Sequence, residues 1–227
     1  MAAGRSILNE RVTGGMTELD RLRDLSARIG ADPLLTQGAG GNTSLKDGDV
    51  LWIKASGTWL AHARERDIMV PVALTPMLEA VRALDPRADR AQEFTIAGLN
   101  PSGLRPSIET TVHGLMPHRI VVHVHCVDTI ALAVRTDCQS LLEQRLAGIL
   151  WALVPYARPG LPLARAIDAR LGSKPDVLVL ANHGLVVAAD TVAGAEALLE
   201  EVKARLAETP RPTHAPDIAA LETRAGG

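Results

Sequence analysis

Apolar residues recur at Leu19, Leu22, Leu25 and Ile29, a three-and-four spacing that puts them on one face of a helix. Thr17 stands where an N-cap hydroxyl belongs, and Gly30 and Pro33 end the segment. The period then changes. Residues 44–46 and 50–54 flank Asp47-Gly48, which predicts a β-hairpin. Gly38 to Asn42 form a glycine-rich turn before it, and Ser56-Gly57-Thr58 a tight turn after it. A short strand over 67–72 leads to a helix over 75–84 with Pro76 in its first position. Residues 85–105 are polar and weakly patterned. A helix over 107–116 stops at Pro117, and a β-branched strand follows over 119–125. Helices are predicted over 128–134 and 139–150, a turn region over 155–162, and a helix over 163–171. Strands over 176–181 and 185–189 precede an amphipathic helix over 191–207. Residues 1–15 read as a loose leader and residues from 209 onward as a Pro/Ala-rich tail. No internal repeat is visible. Interleaved strands and helices predict an α/β fold, and the hairpin signals argue against a purely parallel sheet. A layered α/β sandwich on a mixed or antiparallel sheet follows.

Composition narrows the function classes. The 227 residues suit one domain, taken as residues 1–208 with the tail at 209–227. Lys and Arg total 24 against 26 Asp and Glu, so no basic field exists for nucleic acid. Aromatic content of 2% leaves almost nothing on which bases could stack. Two cysteines, Cys126 and Cys138, do not make a disulfide framework, and Cys126 is expected to pack in the core. Residues 1–11 lack the apolar stretch of a signal peptide. The longest apolar run, over 120–127, is broken by two histidines and falls short of the roughly 20 residues a membrane span requires. The expectation is a cytoplasmic protein that meets neither membrane nor nucleic acid.

Three histidines carry the candidate chemistry. His123 and His125 lie two apart on a predicted strand, so both imidazoles project from one face. They can reach one ion at zinc–nitrogen distances of about 2.0–2.1 Å. The competing reading is a strand histidine facing solvent. Asn182-His183-Gly184 follows the buried run 177–180, a place where functional side chains sit in α/β proteins. A turn with a satisfied histidine accounts for it equally well. As a third nitrogen ligand, however, His183 completes a set that leaves a coordination position open, the catalytic kind of site.

Glu109 opens the next question. It sits on the predicted helix before the His-x-His strand, with His113 four residues on and so on the same face. A carboxylate beside a metal can serve as general acid and base. The alternative is a solvated glutamate favoured by the helix dipole. The glycine-rich turn can cradle an anion with successive N–H groups. It is neither a dinucleotide fingerprint, since Thr43 occupies the third glycine position, nor a P-loop, since no Gly-Lys-Ser/Thr follows. Ser56, Gly57 and Ser107 can add donors to the same anion. Other metal-enzyme patterns fail: a His-x-His-x-Asp motif needs Asp at position 127, which is Val.

Four segments fall in an order that resembles the class II aldolase/adducin family: QGAGGNTS (37–44), KASGT (54–58), PSIETTVH (106–113) with VVHVH (121–125), and ANHGL (181–185). The resemblance spans about residues 17–206. Residues 30–61 are also similar to the aldolase portion of proteins that fuse this domain to a short-chain dehydrogenase. The family's enzymes include fuculose phosphate and ribulose phosphate aldolases and epimerases. The resemblance implies a three-layer α/β/α sandwich around a mostly antiparallel sheet, and a homotetramer with active sites at subunit interfaces. It implies that His123, His125 and His183 hold a divalent metal, most often zinc, with cobalt or manganese as substitutes. Glu109 would move the proton next to the substrate carbonyl, its pKa raised toward neutral by the closed site. Asn42, Ser56, Gly57 and Ser107 would line the phosphate or carboxylate site.

The implied function is a metal-dependent aldolase. It would make or break a carbon–carbon bond in a hydroxy-ketone, sugar phosphate or keto-acid through a metal-stabilised enediolate. A decarboxylase, epimerase or dehydratase on the same scaffold is the alternative within enzymes. A non-catalytic module like the adducin head is the alternative outside them, and the retained histidines and Glu109 argue against it. Two positions depart from fuculose phosphate aldolase. Ile108 stands where the serine is doubled, which removes a hydroxyl from the phosphate site, and no tyrosine occurs in 209–227. The single tyrosine, Tyr156 in a Val-Pro-Tyr turn, is assigned a structural role.

Overall fold

The computed structural model describes residues 15–210 and 217–225, and of the expected leader only residue 15 falls within them. The chain opens with helix α1 (Glu18–Ala31), whose Thr17 and Asp20 form a reciprocal capping box. Leu19, Leu22, Leu25 and Ile29 are all buried, as their spacing predicts. Strands β1 (Asn42–Asp47) and β2 (Val50–Lys54) form the expected hairpin. Strand β3 (Met69–Ala73) follows, and α2 (Leu74–Arg82) begins directly at its end. The weakly patterned stretch becomes three single-turn 3-10 segments, Pro86–Asp89, Ala91–Phe94 and Ala97–Leu99.

Helix α3 (Thr110–Leu115) is shorter than predicted, because residues 107–109 form the turn that leads into it. Strand β4 (Ile120–Val124) ends one residue before His125. Helices α4 (Val127–Ala133) and α5 (Cys138–Arg145) come next, the second stopping five residues earlier than its pattern suggests. Strand β5 (Trp151–Val154), α6 (Leu161–Asp168), β6 (Val177–Leu180), β7 (Gly184–Ala189) and α7 (Val192–Leu206) complete the fold. A final helix, α8 (Ile218–Ala225), forms within what the sequence reads as tail.

The seven strands run in the order β3-β2-β1-β4-β7-β6-β5. Every pairing is antiparallel except β5 with β6, which is parallel. Alternation along the strands sends side chains to two helical layers. Ile120, Val122 and Val124 of β4 meet α1, α4 and α7 on one face. Val121 of β4 and Val186 of β7 meet α3 and α6 on the other. Leu51, Ile53, Val70 and Val72 pack under α2 and Phe94. The molecule is therefore an α/β/α three-layer sandwich on a mostly antiparallel sheet. Cys126 lies in the core, and both cysteines are free. Among the described residues no helix is long and apolar enough to cross a membrane.

Candidate active site

The site grows out of strand register. Asn42 on β1 lies directly opposite His123 on β4, so the two share a face, the one covered by α3. Two residues along, Ser44 pairs with Val121 and faces the same way. Residues 181–183 close the β6–β7 hairpin, because Leu180 and Gly184 are paired. Asn182 takes a left-handed φ of 53° in that loop, a conformation asparagine tolerates better than most residues. The loop thereby turns His183 toward β4. The ring centroids of His123 and His183 are 4.9 Å apart, those of His123 and His125 5.1 Å, and those of His125 and His183 5.4 Å. One potential ligand atom from each of the three imidazoles falls within 4.8 Å of the others.

Two glycine positions make the convergence possible. A Cβ on Gly184 would come 2.4 Å from the Val124 carbonyl oxygen and 3.2 Å from His123 Cε1. A Cβ on Gly40 would come 2.7 Å from His125 Nδ1. The glycine-rich turn thus lies against the histidines, as well as lining the cleft.

The donor set fits a divalent metal. His123 Nδ1 lies 3.0 Å from the Leu185 carbonyl oxygen, so it carries the hydrogen and donates it. Its Nε2 is buried and has no hydrogen-bond partner. His183 Nδ1 is likewise buried without a partner. Burial, reinforced by the neighbouring imidazoles, pushes His125 down to about 4. Burial also lowers His183, helped by His123. Orphaned ring nitrogens on His123 and His183, in a cluster where the His125 and His183 imidazoles resist protonation, suit a cation site.

Glu109 closes the site from the α3 side. It is only 6% exposed, so the solvated-helix reading does not hold. Its Oε1 lies 3.3 Å from His183 Nε2 and its Oε2 3.5 Å from His123 Nε2. Asn42 Nδ2 donates to Oε2 at 2.8 Å. Burial opposes ionisation of the carboxyl, but His123, the Asn42 amide, His183 and His113 together outweigh it and hold the pKa down to about 2. The expected rise toward neutral is therefore corrected: the groups around Glu109 favour its anion.

The cleft in front of these groups has a volume of about 210 Å³, room for a small metabolite. Asn42, Ser56, Gly57, Ser107, Glu109, His125 and His183 all line it, so every residue predicted to bind substrate is at one place. His123 lies beneath, 1% exposed. Ile108 lines the cleft and is 65% exposed. Tyr156, expected to serve structure, is 62% exposed.

Two residues were not singled out by sequence reasoning for the parts they play. Lys54 lines the cleft, and its ammonium donates to the carbonyls of Ala39 at 2.7 Å and Gly41 at 3.0 Å. Burial lowers its pKa to about 8, against the raising influence of Glu109. A charged residue closing the apolar run Val-Leu-Trp-Ile-Lys was the available signal. His113 is fully buried, with Ser44 on one side and Asn42 on the other. Its place one turn after Glu109 was legible, but the strand groups it meets were not.

Comparison with known proteins agrees with this architecture. The sequence pattern of the class II aldolase and adducin N-terminal domain matches residues 23–208. The chain is 28% identical over 179 residues to the uncharacterized oxidoreductase YuxG of Bacillus subtilis, covering 72% of this chain and 25% of that protein. The present chain thus spans about a quarter of that relative's length. Among solved structures, the N-terminal class II aldolase domain of a conserved Thermoplasma acidophilum protein aligns with a TM-score of 0.72 at 27% identity, covering 84% of this chain and 92% of that one. YgbL of Klebsiella pneumoniae, a putative aldolase/epimerase/decarboxylase, aligns with a TM-score of 0.61 at 25% identity, covering 85% of this chain and 89% of that one.

Proposed function

The chain belongs to the class II aldolase and adducin N-terminal domain family, and from that premise we propose that it is a metal-dependent lyase. Its substrate would be a small hydroxy-ketone or keto-acid, with a carbon–carbon bond made or broken next to the carbonyl. The observation that carries this reading is the convergence of three imidazoles with Glu109 3.3 Å and 3.5 Å from two of them. His123, His125 and His183 would hold the ion, with zinc the first candidate and cobalt or manganese compatible with the same nitrogens. A bound divalent ion there supplies Lewis acidity to a carbonyl oxygen.

The chain's own residues do the rest. Glu109, anionic in its resting surroundings, takes a proton from a substrate hydroxyl or carbon and returns it at the carbon released by bond cleavage. Asn42 holds Oε2 of that carboxylate at 2.8 Å, which keeps it aimed along one direction. Ser107 and the Ser56-Gly57 turn bind the anionic end of the substrate. Lys54 adds positive charge close to that end and stiffens the glycine-rich wall through two carbonyls. The small cleft excludes bulky substrates, and its burial strengthens each of these electrostatic contacts.

Epimerisation or decarboxylation draws on the same proton transfer. The similarity to Klebsiella YgbL, a putative aldolase/epimerase/decarboxylase, supports those reactions as the second reading. The test is metal analysis of the purified protein together with a screen of aldehydes paired with pyruvate, glycolaldehyde or dihydroxyacetone phosphate, with and without chelator. His123→Ala is expected to lose the metal. Glu109→Gln is expected to keep it while turnover falls by about 10²–10⁴-fold. Protein without stoichiometric metal would favour the binding-module alternative, and a fully active Glu109→Gln would remove Glu109 as proton carrier.

A further inference from the structure

We propose that His113, backed by Ser44, is a positioning residue: it locks the side-chain amide of Asn42 in one orientation, and so aims Glu109 and leaves the Ser107 hydroxyl as a donor into the cleft. The proposal rests on the reading of Glu109 as proton carrier and deepens it by assigning the hydrogens on the Asn42 side of that carboxylate.

The assignment follows from counting donors and acceptors. Asn42 faces two different partners with the two ends of its amide. Its Nδ2 lies 2.8 Å from Glu109 Oε2 and 3.2 Å from Ser107 Oγ. Its Oδ1 lies against His113 Nε2. An amide nitrogen only donates and an amide oxygen only accepts, so Nδ2 gives its two hydrogens to Glu109 Oε2 and Ser107 Oγ. The carbonyl end must then receive a hydrogen, which makes His113 Nε2 the protonated nitrogen. Burial, with His123 adding to it, lowers His113 to about 3, so the ring is neutral and Nδ1 carries a lone pair. Ser44 Oγ, 2.7 Å from Nδ1, donates to that lone pair.

One hydroxyl is thereby fixed at a distance from the imidazole. Ser107 Oγ receives the second Nδ2 hydrogen of Asn42 at 3.2 Å and the backbone N–H of Glu109 at 3.2 Å. Those two bonds fill its acceptor capacity, and its own hydrogen is left to donate. Ser107 lines the cleft, so the acceptor is an oxygen of the substrate or of water. A flipped Asn42 amide would set its oxygen against the Glu109 carboxylate and reverse the role of Ser107. His113 supplies the donor that removes any advantage of the flip. Its complete burial makes an unsatisfied partner there costly.

The first measurement is on the unaltered protein. Nitrogen NMR of imidazole-labelled chain is expected to show His113 neutral with the hydrogen on Nε2; the Nδ1–H tautomer or an imidazolium overturns the proposal. Variants follow. His113→Phe fills the space without a donor, and is expected to lower kcat by about ten- to a hundredfold with KM and metal content unchanged. His113→Gln keeps a donor and an acceptor and is expected to restore most of that loss. Should the folded Gln variant be no better than Phe, or should Phe match the unaltered protein, His113 is packing alone. Glu109→Gln separates the two layers: full activity there with the Nε2–H tautomer intact removes the proton-carrier reading and leaves the hydrogen assignment standing.

Discussion

Gly184 shows how a single residue can decide whether the histidines meet. It lies where β7 passes β4, and its missing side chain is what lets His123 occupy its position. A methyl group at 184 has no room, since the atom it meets at 2.4 Å is backbone. Gly184→Ala is therefore expected to destabilise the fold by about 1–3 kcal/mol and to lower metal retention as well. Gly172→Ala, at a position with nothing within 4 Å, should do neither. Chemical denaturation and metal stoichiometry on both variants check this, and a Gly184→Ala protein equal to the unaltered one on both counts refutes it. At this scale the sequence carried much of the site. His-x-His and Asn-His-Gly are local patterns, and their residue types restrict the chemistry. The burial of Glu109 was not legible, because the groups that surround it come from β1, β4 and the β6–β7 loop, up to 74 positions away in the chain.

Elements were legible where their periodicity is long and their ends are chemically marked. Helix α1 has four buried positions in register and a Thr-x-x-Asp capping box. It also caps another helix: Glu18 Oε1 accepts the backbone N–H of Val192 at 2.7 Å, at the start of α7. Thr17→Ala is expected to lower stability by about 1 kcal/mol, read as a shift in urea midpoint with an unchanged slope; no shift would mean the box is redundant with the Glu18 contact. Strand β5 was not read from the sequence at all. It has only four residues, lies at the sheet edge and pairs in parallel with β6, so neither alternation nor a hairpin turn announces it. The helices predicted over 107–116 and 139–150 are shorter because tertiary partners claim their ends: Ser107 N–H donates to the Lys54 carbonyl, and residues 146–150 lead into β5. Helix α8 is hidden by the Pro- and Thr-rich residues that precede it.

Among the described residues, the buried Lys54 and the half-buried Lys46 make the stability of the molecule depend on alkaline pH. Lys46 joins the end of β1 to the connection between α3 and β4 by donating to the carbonyls of Met116 and His118. Lys54 joins the end of β2 to the glycine-rich turn. Burial lowers each from 10.5 to about 8. Between those values the unfolded chain keeps a proton that the folded chain has released. The unfolded state then binds more protons, and stability rises with pH. Below about pH 8 both states are protonated and the two lysines contribute no slope. From there to about 10.5 each adds up to about 1.4 kcal/mol per pH unit. Lys46 lies away from the cleft, so Lys46→Met isolates one share without touching the chemistry. Urea unfolding of both proteins at pH 7.5 and 10 is expected to show that the variant gains less stability across the interval than the unaltered chain. Equal gains would mean that the two carbonyls hold the Lys46 proton in place against its burial, leaving that ammonium a neutral contributor to the pH dependence of the fold.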